Sequence, residues 1–200
     1  MNKASRLLVS CAVVMSFLLS ACSGLTSSDK PATRIWWLEP YSSGTSTSLA
    51  EAETSLEVMV RVVPGLDSDK ILTLSGAAQL NYIAGAQWAD NLPELVQSLT
   101  VRSLQASGRF EAGNDFTVED PGVCELELEV REFFARTDST QQVSSVQVEM
   151  QGRYHCKTGE PIRLQLGASI TVNDESMSGI VAAFQTGVDV MMKQLLRQLP

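Results

Sequence analysis

The sequence is poor in the side chains on which most catalytic and metal sites depend. It contains one histidine, His155, and four cysteines among its 200 residues, so a site with several imidazole ligands is excluded. It also has no Walker motif and no Gly-x-Ser-x-Gly turn, which argues against ATP hydrolysis and against a serine hydrolase mechanism. We therefore predict no catalytic residue, no metal site and no cofactor.

Positive charge is scarce as well. The chain carries 15 Lys and Arg against 23 Asp and Glu, a net charge of −8. Its first 21 residues contain Lys3 and Arg6 and no acidic residue, so the remainder has 13 positive against 23 negative charges, or −10. Nucleic acids and anionic headgroup surfaces are bound through clusters of Lys and Arg. No such cluster occurs, and we predict no nucleic-acid partner.

A long apolar run is missing everywhere except near the N-terminus. There an apolar stretch from about Leu7 to Leu19 follows the two basic residues, and at roughly a dozen residues it is too short to span a bilayer. It is typical of a secretory signal peptide. Leu19-Ser20-Ala21-Cys22 closes it in the pattern of a bacterial lipoprotein cleavage site, which predicts a lipidated Cys22. The alternative is an ordinary signal peptide with Cys22 incidental.

Lipidation at Cys22 predicts the membrane relationship and the domain layout. Two or three acyl chains hold a protein permanently at a bilayer surface, since each buried methylene contributes about 0.8 kcal/mol. Ser23 follows the cysteine, where an aspartate would favour retention in the inner membrane. We therefore predict an anchor in the outer membrane, on its periplasmic face. The predicted segments are a signal peptide over 1–21, a polar tether over 22–33 and one domain over 34–200.

Cys124 and Cys156 are the two cysteines that remain once Cys11 leaves with the signal and Cys22 is acylated. Each lies in a segment where apolar and polar residues alternate, as in a strand with one solvated face. Folded as a hairpin about Thr140, the segments oppose residues whose numbers sum to 280. This register places Cys124 opposite Cys156, and it pairs Leu126 with Tyr154, Val130 with Met150 and Phe134 with Val146.

The opposition of the two cysteines predicts a disulfide, because Cα atoms of facing strand residues lie about 4.5–5.5 Å apart, within disulfide range. A reactive thiol and half of a metal site remain as alternatives, although neither finds further ligands nearby. The compartment outside the inner membrane favours the disulfide.

The remaining periodicities predict the fold class. An early strand runs from Leu56 to Val62, and a third alternating segment from Ile162 to Val172 would complete a three-strand meander. A helix is expected after Asn91, with Glu94 completing a capping box and Gly108 ending it. A last helix begins near Ser178. We predict an α+β domain with an antiparallel sheet, a three-strand meander and two helices packed on one face.

Few residues suggest a binding role. Glu125, Glu127 and Glu129 lie on the solvated face of one strand, and His155 lies on the same face of the opposing strand. We interpret all four as solvated or ion-paired side chains. Trp36 and Trp37 are adjacent, so a strand would point them to opposite faces. One is expected in the core, and the other is a candidate for binding a partner.

The last helix is the second candidate surface. Val181, Met192 and Leu196 lie off its main apolar stripe, which predicts contact with another subunit, a second copy of this chain being one option, or with a ligand.

Several short motifs resemble the ABC-type transport auxiliary lipoprotein family. They are Ile35-Trp-Trp-Leu-Glu-Pro40, Val63-Pro64 with Leu66-Asp67, and Leu80-Asn-Tyr82 followed by Trp88-Ala89 and Leu92. The resemblance extends from Arg34 to the C-terminus and includes the order of strands and helices. One departure is Ser68, where members of the family often carry an arginine.

The resemblance implies an accessory role in lipid traffic across the periplasm. Such lipoproteins are outer-membrane partners of mammalian-cell-entry-type (MCE) substrate-binding proteins, whose ABC transporters lie in the inner membrane. The implied partner is therefore an MCE-domain protein. Two other functions stay open: a structural lipoprotein of an outer-membrane or secretion machine, and a carrier that itself holds lipid.

Overall fold

The computed structural model describes residues 32–42, 54–76, 78–116 and 122–200. Thr33–Pro200 forms one compact unit. The predicted signal peptide, Cys22 and most of the predicted tether lie outside the described residues. In chain order the elements are β1 (Arg34–Trp36), β2 (Thr54–Val62), β3 (Lys70–Ser75), β4 (Gln79–Trp88), α1 (Leu92–Ala106), β5 (Phe110–Gly113), β6 (Val123–Thr137), β7 (Val143–His155), β8 (Ile162–Thr171) and α2 (Met177–Gln198).

The eight described strands form one sheet around β6. Along one edge, β6 pairs with β7, and β7 pairs in turn with β8. The other edge of β6 is shared, because β2 covers its first half and β3 meets only Ala135–Thr137. From there the sheet continues through β2 to β5 and through β3 and β4 to β1.

The prediction of an antiparallel sheet is wrong, because the sheet is mixed. Of seven strand pairings in the described chain, four are parallel: β1–β4, β2–β5, β2–β6 and β3–β6. Antiparallel pairing is confined to β3–β4 and to the consecutive strands β6, β7 and β8. Parallel strands need long crossover connections, and here α1 lies in the connection between β2 and β6. Local periodicity carries no signal for such distant partners.

The predicted register of β6 and β7 is confirmed over the first half of the hairpin and wrong beyond it. Leu126 pairs with Tyr154, and Val130 pairs with Met150. A bulge then shifts the register by one residue, so that Phe134 faces Gln147 and not Val146. A bulge places one extra residue in one strand and exchanges the faces of all residues that follow. Phe133, rather than Phe134, therefore joins the aromatic core beneath α2.

Both helices pack on one face of the sheet, here called the helix face, which carries Leu56, Val58, Leu126 and Leu128. These side chains and the buried sides of α1 and α2 belong to a single core. The opposite side, carrying Glu57, Met59, Glu127 and Arg153, is called the open face.

Helix α1 starts after Asn91 as predicted, but the capping box is absent, since the Asn91 side chain makes no capping hydrogen bond. In α2, the hydroxyl of Ser176 accepts a hydrogen bond from the Gly179 N–H at 3.2 Å. No helix in the described part of the chain is both long and apolar enough to cross a membrane.

Candidate docking surface

The adjacent tryptophans lie at the end of β1, the strand at one edge of the sheet. Trp36 pairs with Trp88 and is partly buried against the core, and its indole Nε1 is buried without a hydrogen-bond partner among the described residues. Trp37 is 53% exposed and Ile35 is 67% exposed. The alternation predicted from the sequence is therefore present. Of the two indoles, only that of Trp37 is available to a partner.

Trp37 is held in place from the side by helix α1. The guanidinium of Arg102 lies 5.9 Å from the centre of the Trp37 ring, within the range of a cation–π contact. A small cleft of about 50 Å³ lies between them and is also lined by Glu94 and Ser98. An exposed aromatic ring that is already positioned loses little conformational freedom on binding, which makes it a suitable anchor for a partner.

The segment that follows Trp37 is hydrogen-bonded to both helices. The side-chain amide of Gln185 on α2 accepts a hydrogen bond from the Glu39 N–H at 2.8 Å and donates one to the Glu39 carbonyl at 3.0 Å. The hydroxyl of Ser103 on α1 accepts a hydrogen bond from the Tyr41 N–H at 2.9 Å. Leu38, the residue just before Glu39, is fully buried. Sequence reasoning noted Ile35–Pro40 only as a family motif and missed these contacts, since the segment has no periodicity.

The second predicted docking surface, on α2, is mostly buried. Val181 is 9% exposed and Met192 is 1% exposed, while Leu196 is partly buried against the core. The prediction that these residues meet another subunit or a ligand is wrong for Val181 and Met192. Because α2 packs against both β7 and β8, its buried side is wider than the narrow stripe that the sequence periodicity indicated.

The glutamate row on β6 forms ion pairs on the open face. Glu127 lies 3.1 Å from Arg153, and Glu129 lies 2.8 Å from Arg131. Glu125 lies 3.4 Å from the Nε2 of His155, a contact that is an ion pair only when the imidazole is protonated. The described residues contain no group of three or more His, Cys, Asp or Glu side chains arranged to hold a metal ion. Exposed pairs such as Glu127–Arg153 and Glu129–Arg131 contribute about 0–1 kcal/mol each and are screened by salt.

Cys124 and Cys156 are joined by a disulfide at the open end of the β6–β7 hairpin, with their Cα atoms 4.3 Å apart. The Tyr154 hydroxyl lies 3.1 Å from the Cys156 Sγ and is the donor, because a disulfide sulfur carries no hydrogen. Burial raises the pKa of Tyr154, an effect that the positive charge of Arg109 partly opposes. The hydroxyl therefore remains protonated, and able to donate, well above neutral pH.

Comparison with known proteins decides the family. The sequence matches the family of ABC-type transport auxiliary lipoprotein components over residues 38–195. This chain belongs to that family. The match covers most of the described fold, from the buried Leu38 to Leu195 in the last turn of α2, and includes all described strands except β1.

Two solved structures are similar to this auxiliary component. One is the crystal structure of an uncharacterized protein, with a TM-score of 0.67 and 15% identity, covering 85% of this chain and 100% of that one. The other is a protein from Xanthomonas campestris of the DUF330 family, with a TM-score of 0.64 and 15% identity, covering 82% of this chain and 92% of that one. At this identity they share the fold. No curated protein sequence matches the chain significantly.

Membership of the family establishes the general role of the chain. It is the auxiliary lipoprotein component of an ABC-type transport system, and its partners are therefore other components of that transporter. A lipoprotein is attached to a membrane through lipid. The modification of Cys22 stays a prediction.

Proposed function

We propose that this auxiliary lipoprotein is anchored in the outer membrane through Cys22 and binds the periplasmic MCE-domain protein of its transport system. The observation that carries this proposal is the family match over residues 38–195, together with the cleavage motif Leu19-Ser20-Ala21-Cys22. The chain would serve lipid or hydrophobic-molecule transport by docking to the conduit, while ATP hydrolysis takes place on another subunit.

The docking role is supported by the surface around Trp37. This ring is 53% exposed, it is positioned by Arg102, and the adjoining backbone is tied to α1 and α2. Aromatic and arginine side chains are the residues most enriched at the energetic centres of protein interfaces. Trp36 is not part of this proposed surface, because it packs against the core.

A carrier function receives less support from the described residues. Two surface grooves among the described residues have volumes of about 510 and 520 Å³. Glu94, Gln97 and Arg102 line the first, and Gln79, Asn81 and Glu175 are among the residues that line the second. Acyl chains are bound in apolar surroundings, whereas both grooves present charged and amide groups.

Photocrosslinking in living cells tests the partnership. With p-benzoylphenylalanine at position 37 of the full lipidated chain, we expect ultraviolet light to capture the MCE-domain protein, because the side chain at this position is exposed and held in one place. The control is the same probe at the exposed Arg163 on β8, which should give no such product. Products containing only a secretin, a pilus subunit or the outer-membrane protein assembly machine would contradict the proposal and favour a structural lipoprotein.

The lipid anchor is tested separately by Cys22→Ala. This substitution removes the thiol that takes the diacylglycerol, so we expect metabolic labelling with palmitate to disappear and the protein to remain unprocessed or to become soluble. Cys11→Ala, within the predicted signal peptide, is the matched control and should leave labelling unchanged. Continued labelling of Cys22→Ala would show that the cleavage motif has been misread.

A further inference from the structure

Strand β2 is longer than the strand that covers its outer edge. On that edge β5 pairs with β2 only from Thr54 to Glu57, whereas β6 pairs along the other edge from Ser55 to Val62. No described residue continues the pairing beyond Gly113. The edge of β2 over Val58–Val62, here called the free edge, is five residues long, or about 16 Å at 3.3 Å per residue.

The structure shows which backbone N–H and C=O groups of β2 point toward β6 and which point outward from the sheet. The Val63 N–H donates a hydrogen bond to the carbonyl of Val130 on β6 at 3.0 Å. Alternate residues of a strand direct their backbone groups to the same edge, so those of Met59 and Arg61 also point toward β6. The N–H and C=O groups of Val58, Val60 and Val62 therefore point outward. Within the described chain, no strand pairing or loop hydrogen bond reaches them.

Grooves on both sides of the free edge provide space for side chains. On the helix face, a groove of about 510 Å³ is lined by Val60, by Asn114 and by α1 residues including Gln97 and Val101. On the open face, a second groove of about 390 Å³ is lined by Met59, Val60, Arg61, Gln97 and Glu127. Both grooves meet at Val60 and Gln97. A strand laid on the free edge would have room on both of its faces.

We propose that the free edge binds an extended segment of the MCE-domain partner as an added strand. This inference rests on the proposed function and names the contact through which the partner docks. Outward N–H and C=O groups at regular spacing are complementary to an extended main chain, which is how sheet edges recognise peptides. The bound segment has about five residues, with apolar side chains facing Val60 and Val101 and polar side chains facing Arg61 and Glu127.

Continuity with Trp37 identifies the occupant as the same partner. Glu94, Ser98 and Arg102 line both the helix-face groove and the small cleft beside Trp37. The free edge and the Trp37 ring therefore lie on opposite sides of one row of α1 side chains, namely Glu94, Ser98 and Arg102. A protein bound at Trp37 can extend over this row of side chains into the helix-face groove beside the free edge.

A second copy of this chain fits the free edge less well. Paired antiparallel about Val60, two copies of β2 would oppose residues whose numbers sum to 120, so Val63 of one copy would face Glu57 of the other. The outer edge at Glu57 is already paired with Gly113. Val63 cannot turn away from it, because its hydrogen bond to Val130 keeps its backbone along β6. A segment of about five residues that pairs only with the free edge does not reach this position and avoids the clash.

Crosslinking from the groove tests the proposal. The full lipidated chain in its native envelope would carry p-benzoylphenylalanine at Gln97 or at Met59, with Arg163 on β8 as the control position. We expect both groove positions, and not the control, to capture the MCE-domain protein. Mass spectrometry should place both crosslinks within one segment of about five residues, on side chains of opposite strand faces.

Two substitutions separate edge pairing from a general surface effect. Val62→Pro removes an outward N–H and leaves the bonds to β6 in place, and Gln97→Trp fills the meeting point of the two grooves. Each should reduce capture of the MCE-domain protein from position 37 by about tenfold, while circular dichroism shows that each variant still folds. Ala182→Trp, on the exposed side of α2, is the matched control and should leave capture unchanged.

The outcomes distinguish this proposal from the proposed function. Capture of the partner from position 37, without capture from Gln97 or Met59, would overturn edge binding and leave the partnership intact. Crosslinks from the groove only to a second copy of the chain would also overturn it. Absence of the partner from every product would contradict the proposed function, and the free-edge proposal with it.

Discussion

Phe184→Ala should lower the free energy of unfolding by about 3–5 kcal/mol, the usual cost of removing a fully buried phenylalanine. Phe184 is 0% exposed. Its ring centre lies 5.0 Å from that of Phe133 in a stacked arrangement and 5.1 Å from that of Trp88 edge to face. The three rings join α2 to β6 and β4, so the cavity would open where three elements meet. Urea unfolding followed by circular dichroism measures the change.

Phe184→Leu is the matched control for this position. It keeps most of the apolar volume while removing the ring contacts, and should therefore cost less than the alanine variant. An exposed residue of the same helix, Thr186→Ala, should change the free energy of unfolding by less than about 0.5 kcal/mol. A loss below about 1 kcal/mol for Phe184→Ala would show that the ring is not packed in this core.

The β6–β7 hairpin shows how far local periodicity can predict a fold. Over Leu126–Val130 apolar and polar residues alternate without interruption, and there the predicted register agrees with the structure. Two polar residues in succession, Arg131 and Glu132, then change the phase of the pattern. A bulge is the physical response, because it returns the next apolar side chain, Phe133, to the helix face. The sequence thus contained a signal for the bulge, which a strict period of two overlooks.

Parallel pairing could not be predicted in the same way. The partners β2 and β6 are separated by three strands and a helix that lie between them in sequence, so no turn motif links them. Their pairing is selected by the burial of Val58 against Leu126 and their neighbours, which is a property of the whole core. The free edge of β2 results from this arrangement, and it too had no signal in the sequence.

The candidate docking surface was predictable in part. Adjacent tryptophans on a strand must face opposite sides, and this alone separates the buried Trp36 from the exposed Trp37. Which indole is exposed depends on the pairing of Trp36 with Trp88, a contact between residues 52 positions apart in the sequence. The hydrogen bonds of Gln185 to Glu39 connect residues 146 positions apart. Such contacts are set by tertiary packing and leave no local pattern.

Removing the disulfide should also destabilise the protein strongly without preventing folding. Cys124 and Cys156 are 32 residues apart in sequence, and the loop-entropy estimate for a closed loop of this size is about 4 kcal/mol. The β6–β7 ladder enclosed by the bond pairs from Glu125 to Thr137 independently of it. We therefore expect the Cys124→Ala, Cys156→Ala double variant to fold with an unfolding midpoint at lower urea concentration, and to retain docking.

Single variants provide the control for this prediction. Cys124→Ala and Cys156→Ala each break the same bond, so each should lose about as much stability as the double variant, whereas independent contributions would add. Mass spectrometry of the protein isolated from cells under non-reducing conditions should recover the two cysteine peptides joined. Two freely alkylated thiols would contradict the bond in the cell. An unchanged unfolding midpoint in the double variant would show that the hairpin is already constrained in the unfolded chain, since a disulfide acts mainly by restricting that state.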